Sequence, residues 1–147
     1  MSYKNKGFAR ERELARYLWK QGFAVIRAPA SGAKTKRVVY PDIIAIKKGR
    51  IFVIEVKTRE RPETIYIDKQ KIHRMIEFIE RSSGEGFIAV KIMDGRGWRF
   101  IPITMLEKTP KGNYKVSVEL LEKAMSLDEF IRYAEPSEKI TKWVRQA

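Results

Sequence analysis

An α/β fold, with a mixed central β-sheet flanked by helices, is predicted by three features of this 147-residue chain. Two pairs of β-branched and aromatic runs, residues 43–46 with 51–56 and 87–92 with 98–103, are each joined by a glycine-containing turn and read as hairpins. Two stretches with helical apolar spacing, 7–21 and 68–81, alternate with them. Helices interleaved with strands bury one stripe each against a shared sheet, and the length suits one domain with a sizeable core.

The first helix is bracketed by Gly7 and Gly22. On a wheel of about 100° per residue, Glu11, Leu14, Ala15 and Leu18 share one stripe, which should face the sheet. Glu13 falls on the opposite, charged side with Arg16 and Lys20, where i,i+3 ion pairing accounts for it. Glu11 is therefore the acid that leans inward; by itself it also suits the first turn of a helix, where the dipole favours an acid. Arg10 and Arg12 flank it, each able to contact phosphate or to face water. Residues 23–28 read as the first strand. Pro29 to Arg37 follows as a small-residue loop that turns basic, so that Lys34, Lys36 and Arg37 can neutralise backbone phosphates. Ser31 in that loop is a candidate phosphate or water ligand, and equally ordinary turn chemistry.

Pro41 to Lys57 carries the chemistry. A two-residue loop at Lys48-Gly49 pairs Ile46 with Ile51, Ile44 with Val53 and Asp42 with Glu55; a longer loop or a bulge would spoil that pairing. Opposed side chains have Cβ atoms roughly 4.5–5.5 Å apart, and like charges there are destabilising, so a divalent cation is the natural companion of Asp42 and Glu55. Two carboxylates form a hard oxygen site suited to Mg²⁺, Mn²⁺ or Ca²⁺. Alternation puts Lys57 on the face of Glu55. Acids, a metal and a lysine together suit phosphodiester hydrolysis by metal-activated water.

Thr58 to Glu63 reads as a charged connection in which Arg59 and Arg61 extend the basic surface. The second helix starts from the N-cap Asp68 and stops at Ser82-Ser83-Gly84. Its stripe is Ile72, Met75, Ile76 and Ile79, and Phe78 lies off it. The apolar surface is thus wider than one contact needs, which makes Met75, Phe78 and Ile79 candidates for self-association, with a wide core contact as the alternative. His73 is a surface residue. Trp98 and Phe100 form an aromatic face on an edge strand and serve packing. Beyond Thr104, Thr109 to Asn113 is a turn, Ser126-x-x-Glu129 a capping box, and residues 137–146 a further short helix; no chemistry is legible there.

Net charge +13 and pI near 10 predict a polyanionic partner, nucleic acid before membrane surface. No run approaches a membrane span, and the start of the chain lacks the apolar core of a signal peptide, so a cytoplasmic location is expected. With no Cys, and His73 the single histidine, disulfides and thiolate or imidazole zinc sites are excluded, and any metal must be held by oxygen.

Asp42, then Glu55-x-Lys57 on the next strand, after an acid in a helix, resembles the PD-(D/E)xK nuclease superfamily. Further pieces sharpen the likeness: Glu11-Arg12-Glu13, Gly22-Phe23, Arg27-Ala-Pro-Ala-Ser31-Gly32, Pro41-Asp42 and Trp98-Arg-Phe100. In this order they resemble the archaeal Holliday-junction resolvases over about the first 105 residues. The resemblance implies a restriction-endonuclease-like fold, a single nuclease domain with its catalytic core at about 7–105, and a homodimer that nicks paired strands of a four-way DNA junction in recombination and repair, leaving 5′-phosphates and 3′-hydroxyls. It implies that Glu11, Asp42, Glu55 and the main-chain carbonyl of Val56 hold Mg²⁺, with Mn²⁺ as substitute. Lys57 would orient water or stabilise the transition state, Ser31 would act on phosphate or water, and Arg12 and Arg27 would contact the DNA backbone. Arg59 adds to that surface, and recombination accessory proteins are expected partners. Another superfamily repair or restriction-type nuclease, and a non-catalytic junction-binding scaffold, stay open as rival readings.

Overall fold

The computed structural model describes residues 3–28 and 41–136. Helix α1 (Tyr3–Lys20) leads into β1 (Ala24–Arg27), then the hairpin of β2 (Ile43–Lys47) and β3 (Arg50–Arg59). A short β4 (Ile65–Ile67) and helix α2 (Lys69–Ser82) come next, followed by the hairpin of β5 (Glu85–Ile92) and β6 (Gly97–Pro102). The chain continues through β7 (Glu107–Lys108), β8 (Tyr114–Val116), α3 (Val118–Lys123), β9 (Met125–Ser126) and α4 (Leu127–Ala134). The helix expected at 137–146 lies outside the described residues.

The main sheet runs β1-β2-β3-β5-β6-β9 and is mixed, because β3 pairs antiparallel with β2 and parallel with β5. The parallel pair requires a crossover, and α2 supplies it. Register in the first hairpin follows the two-residue loop: Ile46 opposes Ile51, Ile44 opposes Val53 and Ile43 opposes Ile54. Lys48 and Gly49 take positive φ of 47° and 86°, the left-handed pair that joins right-twisted strands tightly, even though lysine is a poor residue for it.

Alternation along β3 divides the core. Phe52 and Ile54 join Leu14 and Leu18 of α1 and Phe130 and Ala134 of α4 on one face of the sheet. Val53 joins Ile72 and Met75 of α2, Ile65 and Ile67 of β4, Val116 of β8 and Leu121 of α3 on the other. Gly86 lets α2 settle on β5: a Cβ there would stand 2.5 Å from Ile79 Cδ1. Asp68 caps α2 by accepting from the Gln70 N–H at 2.7 Å, and Ser83 ends the helix in the left-handed region at φ 58°.

Several expectations need correction. α1 starts at Tyr3, so Gly7 lies inside it; a single glycine costs about 1 kcal/mol, which the following turns override. Glu13 pairs with Arg10 at 3.0 Å and with Lys91 of β5 at 3.3 Å rather than with Arg16. β3 extends to Arg59, which makes Thr58 and Arg59 strand residues. β6 is not an edge along its whole length, since β9 pairs with Arg99 and Phe100. The region after Thr104 completes the molecule: β8 pairs with β4 on one side and β7 on the other in a second, three-stranded sheet, and the predicted Ser126–Glu129 capping box opens α4.

α4 closes the first core. Phe130 is fully buried, stacked on Phe100 with ring centroids 4.2 Å apart and set edge-on to Phe87 at 5.2 Å. At the end of the helix, Lys47, 8% exposed, pairs with Glu135 and donates to the Gln21 carbonyl at 2.9 Å. Phe130→Ala is expected to destabilise the protein by about 3–5 kcal/mol in urea unfolding. A loss below about 1 kcal/mol would mean that α4 is an appendage to the core.

Candidate active site

The site forms where β2 begins, at the rim of the sheet. Asp42 immediately precedes β2, and continuing the ladder beyond Ile43 and Ile54 sets it opposite Glu55. Asp42 Oδ2 accepts the Val56 N–H at 2.8 Å, which ties that carboxylate to β3. Glu55 is 2% exposed, an acid placed among strand residues that are otherwise apolar. Lys57 follows on the same face of β3 and is partly buried.

Glu11 arrives from α1. The wheel reading of this helix holds, with Leu14 and Leu18 at 0% exposure and the Glu11 side chain at 13%. Its Oε2 lies 3.8 Å from Arg27 Nη2, and Arg27 also donates to the Phe8 carbonyl at 3.3 Å. Arg27 Nε is buried with no acceptor among the described residues, an uncompensated donor beside the acids.

Crowding of acids is legible in their proton affinities. Burial first, and then the charge of Asp42 and its hydrogen bond, push Glu55 up to about 8. Burial and Asp42 likewise raise Glu11 to about 7, with Arg27 pulling the other way. Lys57 is lowered, chiefly by burial and next by repulsion from a second lysine, Lys71.

Lys71 is the residue that the sequence reading missed. It sits in the first turn of α2 and places Nζ 2.6 Å from Glu55 Oε1. Burial opposes its charge, but attraction to Glu55, Asp42 and Glu11 outweighs that and raises its proton affinity. A signal existed: Lys71 lies one helical turn before the buried Met75, at the head of the inward stripe.

Lys71 Nζ, against Glu55 Oε1, sets one positive charge beside the acids. All three acids offer oxygen only, which suits hard divalent ions. Among the described residues, however, no group of three acidic or histidine side chains is gathered closely enough to hold a metal as it stands. Glu11 instead faces Arg27 and Glu55 pairs with Lys71.

Other candidate positions are dispersed. Arg12 is exposed on α1. Arg59 pairs with Glu63 at 3.2 Å, so its charge is partly spoken for. Val56 gives its N–H to Asp42 and packs its side chain toward the first core. Ser31, Lys34, Lys36 and Arg37 lie outside the described residues. Met75, at 3% exposure, belongs to the chain's own core and offers no interface surface, whereas Phe78 and Ile79 remain partly exposed. His73 is exposed with its ring edge-on to Tyr114.

Comparison with known proteins agrees with this architecture. Residues 2–139 match the sequence model of the family described as archaeal Holliday junction resolvase (Hjc). The match runs past residue 105, so the C-terminal part belongs to the family unit. The chain is 47% identical over 134 residues to the crossover junction endodeoxyribonuclease Hjc of Sulfurisphaera tokodaii, covering 91% of each chain. It is 43% identical over 135 residues to that of Sulfolobus acidocaldarius, covering 92% of each. The crystal structure of Archaeoglobus fulgidus Hjc, described as a Holliday junction resolvase, superposes with a TM-score of 0.75 at 30% identity, over 86% of this chain and 99% of that one.

The raised acids set a pH dependence in chelator. The folded protein holds protons on Glu55 to about 8 and on Glu11 to about 7, while the unfolded chain releases them near 4.5. Between those limits the native state binds more protons than the unfolded state, so stability falls as pH rises. Unfolding in urea with EDTA is expected to show a loss of order a few kcal/mol between about pH 5 and pH 8.5, most of it absent in Glu55→Gln. A flat or rising profile would contradict the assignment of these shifts.

Proposed function

The chain belongs to the archaeal Holliday junction resolvase family, and from that premise we propose that it is a structure-selective endonuclease. It resolves four-way DNA junctions by paired, metal-dependent phosphodiester hydrolysis in homologous recombination and repair. The observation that carries this reading is the buried Glu55 beside Asp42, with Lys57 on the same strand face and a cationic side chain already against the acid. Burying Glu55 beside a second, half-buried acid costs stability, and a fold retains such a site for chemistry more readily than for packing. The net charge of +13 suits the polyanionic substrate.

Glu11, Asp42, Glu55 and the Val56 carbonyl would hold Mg²⁺, for which Mn²⁺ is the expected substitute. A divalent ion bound there supplies an acidified water and offsets charge on the phosphoryl oxygens. Lys57 would donate to the attacking water or to a phosphoryl oxygen; its partial burial strengthens that hydrogen bond and keeps bulk water from competing. Asp42, fixed by the Val56 N–H, keeps its geometry while the substrate enters. Arg12 and Arg27 would hold the DNA backbone near the cut, with Arg59 and the basic loop residues Lys34, Lys36 and Arg37 extending the track. Ser31 would contact the phosphate or the water.

A homodimer is part of the proposal, because two symmetric nicks call for two active sites related by a two-fold axis. One apolar face supports it. Ile44, Ile76, Phe78 and Ile79 border the second core only partly covered, and Ile26, opposite Ile44, is 64% exposed.

An immobile synthetic four-way junction offered beside linear duplex tests the reading. Paired incisions in opposite strands of the junction alone, lost in EDTA and slowed roughly 10²-fold or more in Asp42→Asn, are expected. Equal cutting of linear duplex would leave a nuclease that is not a resolvase. Tight junction binding with no cutting in Mg²⁺ or Mn²⁺ would leave a scaffold. In sedimentation velocity, Phe78→Arg is expected to turn the dimer into a monomer with unchanged circular dichroism, and wild type sedimenting as a monomer would remove the dimer.

A further inference from the structure

Lys71 stands where it does little for its own helix. It occupies the third position of α2, whose first turn contains no acid and also holds Lys69. A cation near a helix N-terminus opposes the helix dipole, at a cost of about 0.3–1 kcal/mol. What offsets that cost is Glu55: the ammonium is 2.6 Å from Oε1, and the acid side chain is 3% exposed against 45% for the lysine. The pair is asymmetric. Glu55 is locked in the strand, whereas Lys71 reaches in from the surface on a flexible four-carbon stem and has an open route back to solvent.

We propose that Lys71 is a tethered counter-ion that holds the divalent-cation position at Glu55, so that the metal binds by displacing it. The inference rests on the reading of Glu55 as a metal ligand. With every group ionised, the acids Glu11, Asp42 and Glu55 are matched by Arg27, Lys57 and Lys71. Adding a divalent ion leaves two excess positive charges. Departure of Lys71 removes one, and a scissile phosphodiester removes the other. Metal and DNA therefore favour each other's binding, and Lys71 keeps the acids together and the fold intact until they arrive. Lys57 does not take this part: it lies on the same strand as Glu55, and the cation that pairs with Glu55 is Lys71.

Calorimetric titration of Mg²⁺, and separately of Ca²⁺, into the DNA-free protein tests the idea without reference to activity. Lys71→Met, which keeps helix propensity and the apolar stem, is expected to bind either ion about tenfold or more tightly than wild type. Lys71→Arg, which keeps the charge, is expected to bind no more tightly than wild type. In EDTA the thermal midpoint of Lys71→Met should lie below that of wild type, and saturating Ca²⁺ should raise it by more than it raises wild type. If Lys71→Met does not stay folded in EDTA, Lys71→Gln, which can still donate to Glu55, replaces it with the same expectation. Unchanged or weaker metal binding in the neutral variants would overturn the proposal, including the case in which junction affinity drops while metal affinity stays put, which would make Lys71 a phosphate contact. Failure of wild type to bind either ion, with Asp42→Asn equally silent, would instead defeat the metal-site reading beneath it.

Discussion

A buried carboxylate, Glu55, beside the half-buried Asp42 calls for a positive charge, and much of this molecule is arranged to supply one. The tight Lys48-Gly49 turn fixes the register that sets Asp42 opposite Glu55. One residue of slip would turn Glu55 into the opposite core and Asp42 away from it, so the turn and the site stand or fall together. Cations then come from three directions: Lys57 from the same strand, Lys71 from the head of α2 and Arg27 from β1, through Glu11. Desolvation would make any acid here costly without them.

The fold makes that arrangement rigid. β3 is paired on both sides and buried in its middle, so Glu55 has little freedom to move toward a ligand. α1 and α2 pack on opposite faces of the sheet, yet each sends one charged residue, Glu11 or Lys71, to the same rim. At the far end of the hairpin, Lys47 and Arg50 bind the end of α4 through Glu135 and the Tyr133 carbonyl, and Arg50 also pairs with Glu85 at 2.9 Å. One end of the sheet is thus clamped by satisfied ion pairs, while the other holds acids whose partners are arranged to be exchanged.

The parts of this architecture that repeat with a short period were legible in the sequence. Alternation locates β2, β3, β5 and β6, and the helical wheel separates Glu11 from Glu13. The Asp68 cap and the Ser126 capping box were readable because each uses a local bond with fixed spacing. Strands of two or three residues, β4, β7, β8 and β9, carry too little period to be seen, and the second sheet was missed with them. Lys71 was missed for a different reason. Its meaning depends on a contact between residues 16 positions apart, and its place one turn before Met75, the local signal in α2, does not say which acid it reaches. Met75 was placed on an interface because a wheel gives direction but not depth; the second sheet and α3 fill the space that appeared open.

A crystal structure of the protein soaked in Mn²⁺, with anomalous scattering to locate the ion, tests most directly whether the acids at the head of β2 form one cation site. The account predicts a peak about 2.2 Å from oxygens of Asp42 and Glu55 together, with Glu11 turned from Arg27 toward it and Lys71 withdrawn from Glu55. A peak bound elsewhere, or none there at a Mn²⁺ concentration that supports junction cleavage, would contradict it.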